Sequence, residues 1–161
     1  MLFYFNTFMM KYISIIILSC LIFFSCSSKK KTVNSKTPTE LSKADTGPKI
    51  GEIVGLKSGL KYKIIKRGTG KSPKMNSKVR AHYHGTLEDG KVFDSSIDKG
   101  KPLVFTLNQV IKGWQEGLQL MKEGGVWELY IPTNLGYGAS GRPGIPPFSN
   151  LTFRVELLEV L

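Results

Sequence analysis

Alternation of apolar and polar side chains predicts several short strands in the second half of the chain. In residues 79–84 and 151–157 every second side chain is apolar, the pattern of a strand with one face buried. Residues 60–66 alternate in the same way, and residues 102–107 and 126–131 are two further short strand candidates. No period of 20–50 residues recurs, so a repeat architecture is not indicated.

A hairpin and a single helix complete the predicted elements. Asp89-Gly90 lies between strand-like flanks and predicts a tight turn, because both residues tolerate a positive φ. Residues 110–121 form the one predicted helix, with Trp114, Leu118 and Met121 on one face. Strands linked by hairpins, with one helix late in the order, do not form parallel βαβ units. The predicted fold class is therefore α+β, a twisted antiparallel sheet wrapped around one short helix.

The N-terminus is dominated by an apolar run, residues 12–25, which follows Lys11. A transmembrane helix needs roughly 20 apolar residues, whereas the hydrophobic region of a secretory signal needs only ~7–15. We therefore predict that residues 1–25 are a signal peptide. Residues 1–8 are also largely apolar, so a longer uncleaved anchor is an alternative, and a start at Met9 or Met10 would leave a conventional short leader.

The type of signal depends on the cysteines. Residues 23–26, Phe-Phe-Ser-Cys, resemble a bacterial lipobox of lipoprotein signals, although Phe23 stands where that motif usually has Leu. The resemblance implies that Cys26 is lipidated and anchors the chain in a bacterial cell envelope, with its domain facing the periplasm or the exterior. Cys20 fits the motif about as well locally but would leave an apolar tail on the mature chain. An unmodified cysteine is the remaining alternative.

Composition separates a tether from a domain. Residues 26–50 are Ser, Thr, Lys, Pro and Gly with few apolar side chains, so we predict a flexible polar linker, with residues 51–161 as the only domain. Of the net charge of +11, the linker holds six lysines against two acidic residues, and the domain holds sixteen cations against ten acidic residues. The domain's cations are dispersed, which favours a solvated basic surface over a nucleic-acid interface. We expect a monomer that binds no nucleic acid.

The usual catalytic groups are scarce in this domain. Both cysteines precede it, so no disulfide, thiol nucleophile or thiolate metal site is predicted. The pair His82 and His84 has no further ligand at a helpful spacing and is interpreted as two exposed structural histidines. Residues 136–141 are rich in glycine but do not open a helix, which argues against dinucleotide binding. The sequence therefore predicts neither a metal nor a cofactor.

Four segments of the domain resemble FKBP-type peptidyl-prolyl cis-trans isomerases, and they occur in that family's order. Residues 82–96 resemble the opening signature, residues 110–118 the start of the helix, residues 137–147 the flap loop and residues 153–158 the last strand. The resemblance covers about residues 60–161. It implies an FKBP-like fold and isomerisation of X–Pro bonds in unfolded or proline-containing protein clients.

The residue types suit that reaction. Rotation about a peptide bond crosses a barrier of ~18–20 kcal/mol, and X–Pro bonds isomerise unaided in tens to hundreds of seconds. No bond breaks, so no proton shuttle is needed. The planar amide is strongly dipolar and well solvated, whereas the twisted amide has lost charge separation. An apolar pocket that excludes water therefore favours the twisted state.

The family resemblance also implies a role for individual residues. Trp114 would form the floor of the pocket, and Asp94 at its edge would polarise or orient the peptide. The backbone N–H of Ile111 and the hydroxyl of Tyr137 would bind substrate carbonyls. Ile145 would close the rim from the flap. The walls would come from Tyr83, Phe93, Val110, Ile111 and Phe153, with Leu103 and Phe105 contributing from the strand between.

Some positions depart from the family pattern and leave alternatives open. Arg142 stands where the best-known members have His, Leu103 replaces an aromatic wall residue, and Lys99 replaces an arginine that supports the loop after Asp94. These changes imply altered binding of the family's macrolide inhibitors. Judged singly, several of the apolar site residues would be core residues of any α+β domain. A lipid-anchored chaperone or binding module with little turnover is the alternative function.

Overall fold

A computed structural model describes residues 47–161 of the 161-residue chain. The predicted signal segment, Cys26 and most of the predicted linker lie outside these residues. The strands are β1 Ile53–Gly55, β2 Lys61–Lys66, β3 Lys78–Leu87, β4 Val92–Ser95, β5 Leu103–Thr106, β6 Val126–Ile131 and β7 Leu151–Val160. The α-helix is α1, Lys112–Leu120, and short 3-10 helices span Leu107–Gln109 and Thr133–Leu135.

The strands form one antiparallel sheet in the order β1-β2-β6-β7-β3-β4, and β5 pairs with β3 beside this path. The long strands β3 and β7 pair along nearly their whole length. Their inward side chains are buried, as the alternation predicted, and α1 packs on the same core. The α+β prediction is confirmed. Within residues 47–161, no helix has the length and apolar character needed to cross a bilayer.

The predicted helix begins two residues too early. Val110 and Ile111 are extended, with ψ of 175° and 150°, and the helix starts at Lys112. A 3-10 turn directly precedes them. The apolar periodicity on which the prediction rested therefore included two residues that are not helical. This correction matters for the site, because Ile111 is the residue that precedes the first helical turn, where backbone N–H groups have no partner within the helix.

Two strands show where the sequence pattern was weak. β1 is a three-residue edge strand whose Ile53 is largely exposed, so it carries no apolar alternation and was not predicted. β4 was predicted only as the flank of the hairpin. The turn itself is as expected, with Gly90 at φ 83° and its N–H donating to the carbonyl of Leu87 at 3.0 Å.

The two histidines are half-buried rather than exposed. His82 Nδ1 lies 3.0 Å from Ser96 Oγ, and His84 Nδ1 lies 3.1 Å from Ser95 Oγ. Both serines are buried, and the Ser96 hydroxyl also accepts the N–H of Tyr83 at 2.8 Å. The histidines therefore help to fix the segment after β4 to β3, which is a structural role.

Two glycines bring α1 close to the sheet. A Cβ at Gly113 would lie 2.6 Å from the Ile131 side chain, and one at Gly117 would lie 3.0 Å from that of Leu129. Both partners belong to β6 and are buried. Because the helix can approach this strand only where side chains are absent, the glycines set the height of Trp114 above the sheet.

Gly113→Ala should destabilise the protein. The methyl group would overlap Ile131, and overpacking of this kind costs more than the ~1 kcal/mol that alanine gains over glycine in a helix, leaving a net loss of about 1–2 kcal/mol. The measurement is urea unfolding of the full chain in neutral detergent, followed by tryptophan fluorescence. Adding Ile131→Val should recover part of the loss, and Lys112→Ala serves as the helix control. Equal or greater stability of Gly113→Ala would contradict this account of the packing.

Candidate active site

An open pocket of about 300 Å³ lies between β3, β4, the start of α1 and the loop before β7. It is lined by Tyr83, Phe93, Asp94, Leu103, Gln109, Val110, Ile111, Trp114, Tyr137, Arg142 and Phe153. Nine of these eleven residues were predicted from the sequence. Aromatic and aliphatic side chains form most of the surface, and a few polar groups stand near the edge.

Trp114 is at the centre of the aromatic network. Its side chain is 4% exposed and contacts three other rings, those of Tyr83, Phe105 and Phe153, at centroid distances of 5.4, 5.3 and 5.2 Å. The contacts with Tyr83 and Phe153 are edge-to-face. The indole Nε1 is buried and has no hydrogen-bond partner within residues 47–161. Trp114 therefore offers a ligand apolar aromatic surface and no accessible hydrogen-bond donor.

A glycine makes room for the aromatic wall. Phe93 packs edge-to-face on Phe153 with ring centroids 5.4 Å apart. Gly85 lies beside both rings, and a Cβ there would be 2.7 Å from Phe93 and 2.8 Å from Phe153. Any side chain at this position of β3 would push the two rings apart, so the glycine of the predicted opening signature has a direct packing reason.

The carboxylate at the pocket edge is satisfied within the protein. Asp94 accepts a hydrogen bond from the Tyr83 hydroxyl at 2.7 Å and pairs with Lys99 Nζ at 2.5 Å. Burial opposes ionisation of Asp94, but these two hydrogen bonds outweigh it and hold its pKa below the usual range. Burial, and then the bond to Asp94, raise the pKa of Tyr83 well above its ordinary value. At neutral pH the pair is an ionised carboxylate and a neutral phenol.

Two donors predicted to bind substrate lie at the pocket wall. Ile111 N–H donates to no acceptor within the described residues, while its carbonyl accepts the N–H groups of Trp114 and Gln115 at 3.0 and 3.1 Å. The Tyr137 oxygen accepts a hydrogen bond from Arg142 Nη1 at 2.8 Å, and the guanidinium carbon lies 5.1 Å from the Tyr137 ring centroid. Because Arg142 donates, the phenol proton of Tyr137 is free to be donated elsewhere.

A family model for FKBP-type peptidyl-prolyl cis-trans isomerases matches residues 69–158, more than half of the chain. The protein belongs to this family. In residues 47–161, no group of three or more His, Cys, Asp or Glu side chains is placed to hold a metal ion.

Similar FKBP proteins come from distant organisms. The macrophage infectivity potentiator of Trypanosoma cruzi is 42% identical over 153 residues, covering 86% of this chain and 78% of the relative. The FKBP-type 22 kDa peptidyl-prolyl cis-trans isomerase of Escherichia coli is 52% identical over 110 residues, covering 68% of this chain and 53% of the relative. The chain spans about half of the length of that relative and 46% of the Mip isomerase of Coxiella burnetii.

Solved FKBP structures confirm the fold. FkpA from Escherichia coli superimposes with a TM-score of 0.66 at 49% identity, covering 67% of this chain and 51% of FkpA. AtFKBP13 superimposes with a TM-score of 0.65 at 38% identity, covering 68% of this chain and 99% of that structure.

Two predicted substrate-binding residues do not line the FKBP pocket here. Ile145 is 3% exposed and exchanges two backbone hydrogen bonds with Arg142, at 2.8 and 3.0 Å, so it anchors the flap instead of closing the rim. Phe105 contacts Trp114 outside the lining and supports the indole ring. The family motifs thus identified both positions, but these two side chains support the residues around the cavity and do not line it themselves.

Two lining residues were not predicted. Gln109 ends the 3-10 turn before the extended pair at the start of α1, and nothing in its sequence context distinguishes it from a surface residue. Arg142 was noted only as a departure from the family pattern. The signal that could have found it was its position five residues after Tyr137 in a loop that turns back on itself.

Asp94 should make unfolding dependent on pH in the acid range. Its pKa in the folded chain lies below the unfolded value of about 3.9, so ionised Asp94 stabilises the fold above that pH and the contribution is lost as pH falls through the folded-state pKa. The difference in unfolding free energy between wild type and Asp94→Asn should be constant from about pH 8 to 5 and shrink below about pH 4.

Urea unfolding of the full chain in neutral detergent at a series of pH values measures this difference. Asp98→Asn is the matched control, because Asp98 is mostly exposed and its one ion pair within residues 47–161 is a 4.0 Å contact with His84. A gap between wild type and Asp94→Asn that persists unchanged to about pH 3 would contradict the assignment.

Proposed function

We propose that this chain isomerises X–Pro peptide bonds of extracytoplasmic protein clients by taking the prolyl bond into the aromatic pocket, without covalent or metal chemistry. One observation carries the proposal: an open pocket with a buried indole at its centre, aromatic rings around it and hydrogen-bond donors at its edge. Membership of the FKBP family supports the same activity.

The pocket geometry suits rotation of one bond. A volume of about 300 Å³ is at the small end for ligand pockets, and it suits a prolyl ring with its amide rather than a longer segment. Rings of Tyr83, Trp114 and Phe153 remove water from the amide, which destabilises the dipolar planar state relative to the twisted one. Ile111 N–H and the Tyr137 hydroxyl can hold the flanking carbonyls while the bond turns.

Asp94 contributes to this mechanism through its position. Both of its oxygens already accept hydrogen bonds, from Tyr83 and Lys99, so it neither takes nor gives a proton during rotation. Its fixed charge holds the Tyr83 ring in the wall and orients dipoles at the pocket edge. Lys99 performs the supporting role that the family pattern assigns to an arginine at this position.

Tyr137→Phe should slow catalysed exchange of an X–Pro peptide roughly two- to tenfold, because it removes one hydrogen-bond donor and leaves the ring in place. Trp114→Leu should reduce the exchange to the uncatalysed rate. Both are measured by NMR exchange spectroscopy with the full chain in neutral detergent, and far-UV circular dichroism establishes that each variant is folded. If the wild-type chain leaves the exchange rate unchanged, the isomerase proposal fails.

A chaperone function is the second candidate. Leu103 lines the pocket and is 41% exposed, so apolar surface extends to the mouth of the pocket. Such a surface could hold unfolded chains without turnover. The Trp114→Leu variant separates the two functions, because a holding function retains suppression of aggregation after exchange is lost.

We further propose that the chain is a lipoprotein of a bacterial cell envelope, with lipid on Cys26. The lipobox-like residues 23–26 and the polar residues that follow them support this proposal. A lipid anchor on a polar linker would give the domain reach away from the membrane surface to meet its clients.

Mass spectrometry of the mature chain from membranes should find an N-terminal Cys26 carrying diacylglycerol. Cys26→Ser should remove the lipid and stop the processing, whereas Cys20→Ser should leave both unchanged. An intact hydrophobic segment on the wild-type chain, with unmodified Cys26, would overturn the lipoprotein assignment in favour of an uncleaved anchor.

A further inference from the structure

Arg142 stands where two depressions meet. It lines the aromatic pocket together with Tyr137, and it also lines an open depression on the flap, which is formed with Lys91 and the proline-rich residues 143–147. A peptide whose prolyl bond occupies the pocket must leave through its mouth, so residues beside the proline pass close to this guanidinium.

The guanidinium of Arg142 retains unused binding capacity. Nη1 donates to the Tyr137 oxygen, and the group lies against the Tyr137 ring, but arginine has five N–H donors in a planar fork. Among residues 47–161, no carboxylate forms an ion pair with Arg142. A planar fork with free donors and no counter-charge is suited to a carboxylate supplied by a ligand.

The charges around the pocket also favour a ligand that carries a carboxylate. The negative charge of Asp94 is offset by Lys99 at 2.5 Å, and Tyr83 is neutral. Arg142 therefore leaves the pocket with an uncompensated positive charge. That charge reaches the interior, because it partly counteracts the rise in the Tyr83 pKa that burial and Asp94 cause.

We propose that Arg142 makes this protein selective for clients with an Asp or Glu side chain next to the isomerised proline. This inference rests on the proposed isomerase function and adds a substrate class to it. Arg142 has a second effect that is independent of client charge: through its bond to the Tyr137 oxygen it positions the phenol that holds the substrate carbonyl. The two effects predict different readouts, since positioning alters every peptide equally and charge alters only the acidic ones.

The test compares exchange rates for proline peptides that carry Glu or Gln before the proline, and Glu or Gln after it. Glu and Gln have nearly the same shape, so their ratio reports charge. For at least one position the wild-type ratio of Glu to Gln should exceed one, and Arg142→Gln should lower it roughly two- to fivefold, the range of a partly exposed ion pair. The ratio should also fall as salt rises.

Two further variants test whether the ratio of Glu to Gln depends on the positive charge at position 142. Arg142→Lys keeps the charge and should retain most of the ratio, even if all rates fall through loss of the bond to Tyr137. Arg154→Gln removes a cation from the exposed outward face of β7 and should leave the ratio unchanged. All measurements use the full chain in a neutral detergent, so that the surroundings add no charge.

The outcomes distinguish this inference from the isomerase proposal. A wild-type ratio of one or less at both positions, or a ratio that Arg142→Gln does not change, overturns the selectivity while the activity stands. If no peptide, charged or neutral, exchanges faster than in buffer, it is the isomerase proposal that fails.

Discussion

The packing of the Trp114 indole against rings from the sheet is the contact on which the rest of the site depends. Trp114 belongs to the first turn of the helix, while Tyr83 and Phe153 come from the two long central strands. Aromatic pairs of this geometry contribute about 0.5–1.5 kcal/mol each beyond the area they bury. The same rings that fix the helix on the sheet therefore form the dry surface of the pocket. Gly113 and Gly117 allow the helix to approach the sheet closely, so the site is a consequence of how the core packs.

The ionisable groups of the pocket are arranged to keep their charge states constant. A buried carboxylate without partners would bind a proton, and its charge would then vary with pH. Asp94 avoids this through one neutral and one cationic donor, and burial together with the hydrogen bond to Asp94 raises the pKa of Tyr83, which stays protonated. For a reaction that moves no proton, a fixed field is useful and a titrating one is not. The proposed reaction moves no proton. This explains both why the sequence predicts no catalytic acid–base pair and why hydrogen bonds hold Asp94 in its ionised form.

Most of the fold followed from alternation, and most of the pocket from motifs. β3 and β7 were predicted because strands with one buried face must alternate, and the strand candidate at residues 126–131 has the bounds of β6. The short edge strand β1 could not be found in this way, because a strand with little buried surface has no apolar pattern. The helix start was misplaced because Val110 and Ile111 are apolar, as residues of a buried helix face would be, but their side chains line the pocket. Ile145 is the reverse case, a residue that a motif assigns to the rim but that the backbone of the flap turns into the core.

The flap differs from the rest of the site in what holds it in place. The sheet and helix side of the pocket is fixed by buried rings, whereas the flap is held by its own backbone and by one buried side chain, that of Ile145. Gly141 has φ 59°, and a Cβ there would lie 2.5 Å from the carbonyl oxygen of Ile145. Phe148 has φ 60° although it is not glycine, and its ring is 69% exposed, so packing of the side chain does not explain the conformation. A left-handed residue of this kind costs ~1–2 kcal/mol. The Phe148 N–H donates to the carbonyl of Gly138 at 2.9 Å, and this hydrogen bond connects the two ends of the flap.

This difference separates the two properties that we propose for the protein, isomerisation of prolyl bonds and selectivity for acidic clients. In the proposed mechanism, rotation of the prolyl bond needs a dry aromatic surface, which the buried rings of the core supply. Choice of client needs groups that can vary, and Tyr137 and Arg142 are carried on a loop whose shape depends on main-chain hydrogen bonds and not on those two side chains. A charged residue can therefore be placed at the mouth of the pocket without disturbing the rings beneath it. The departure of Arg142 from the family pattern lies on the flap, where a change would alter the proposed selectivity and the position of the Tyr137 phenol but not the buried rings.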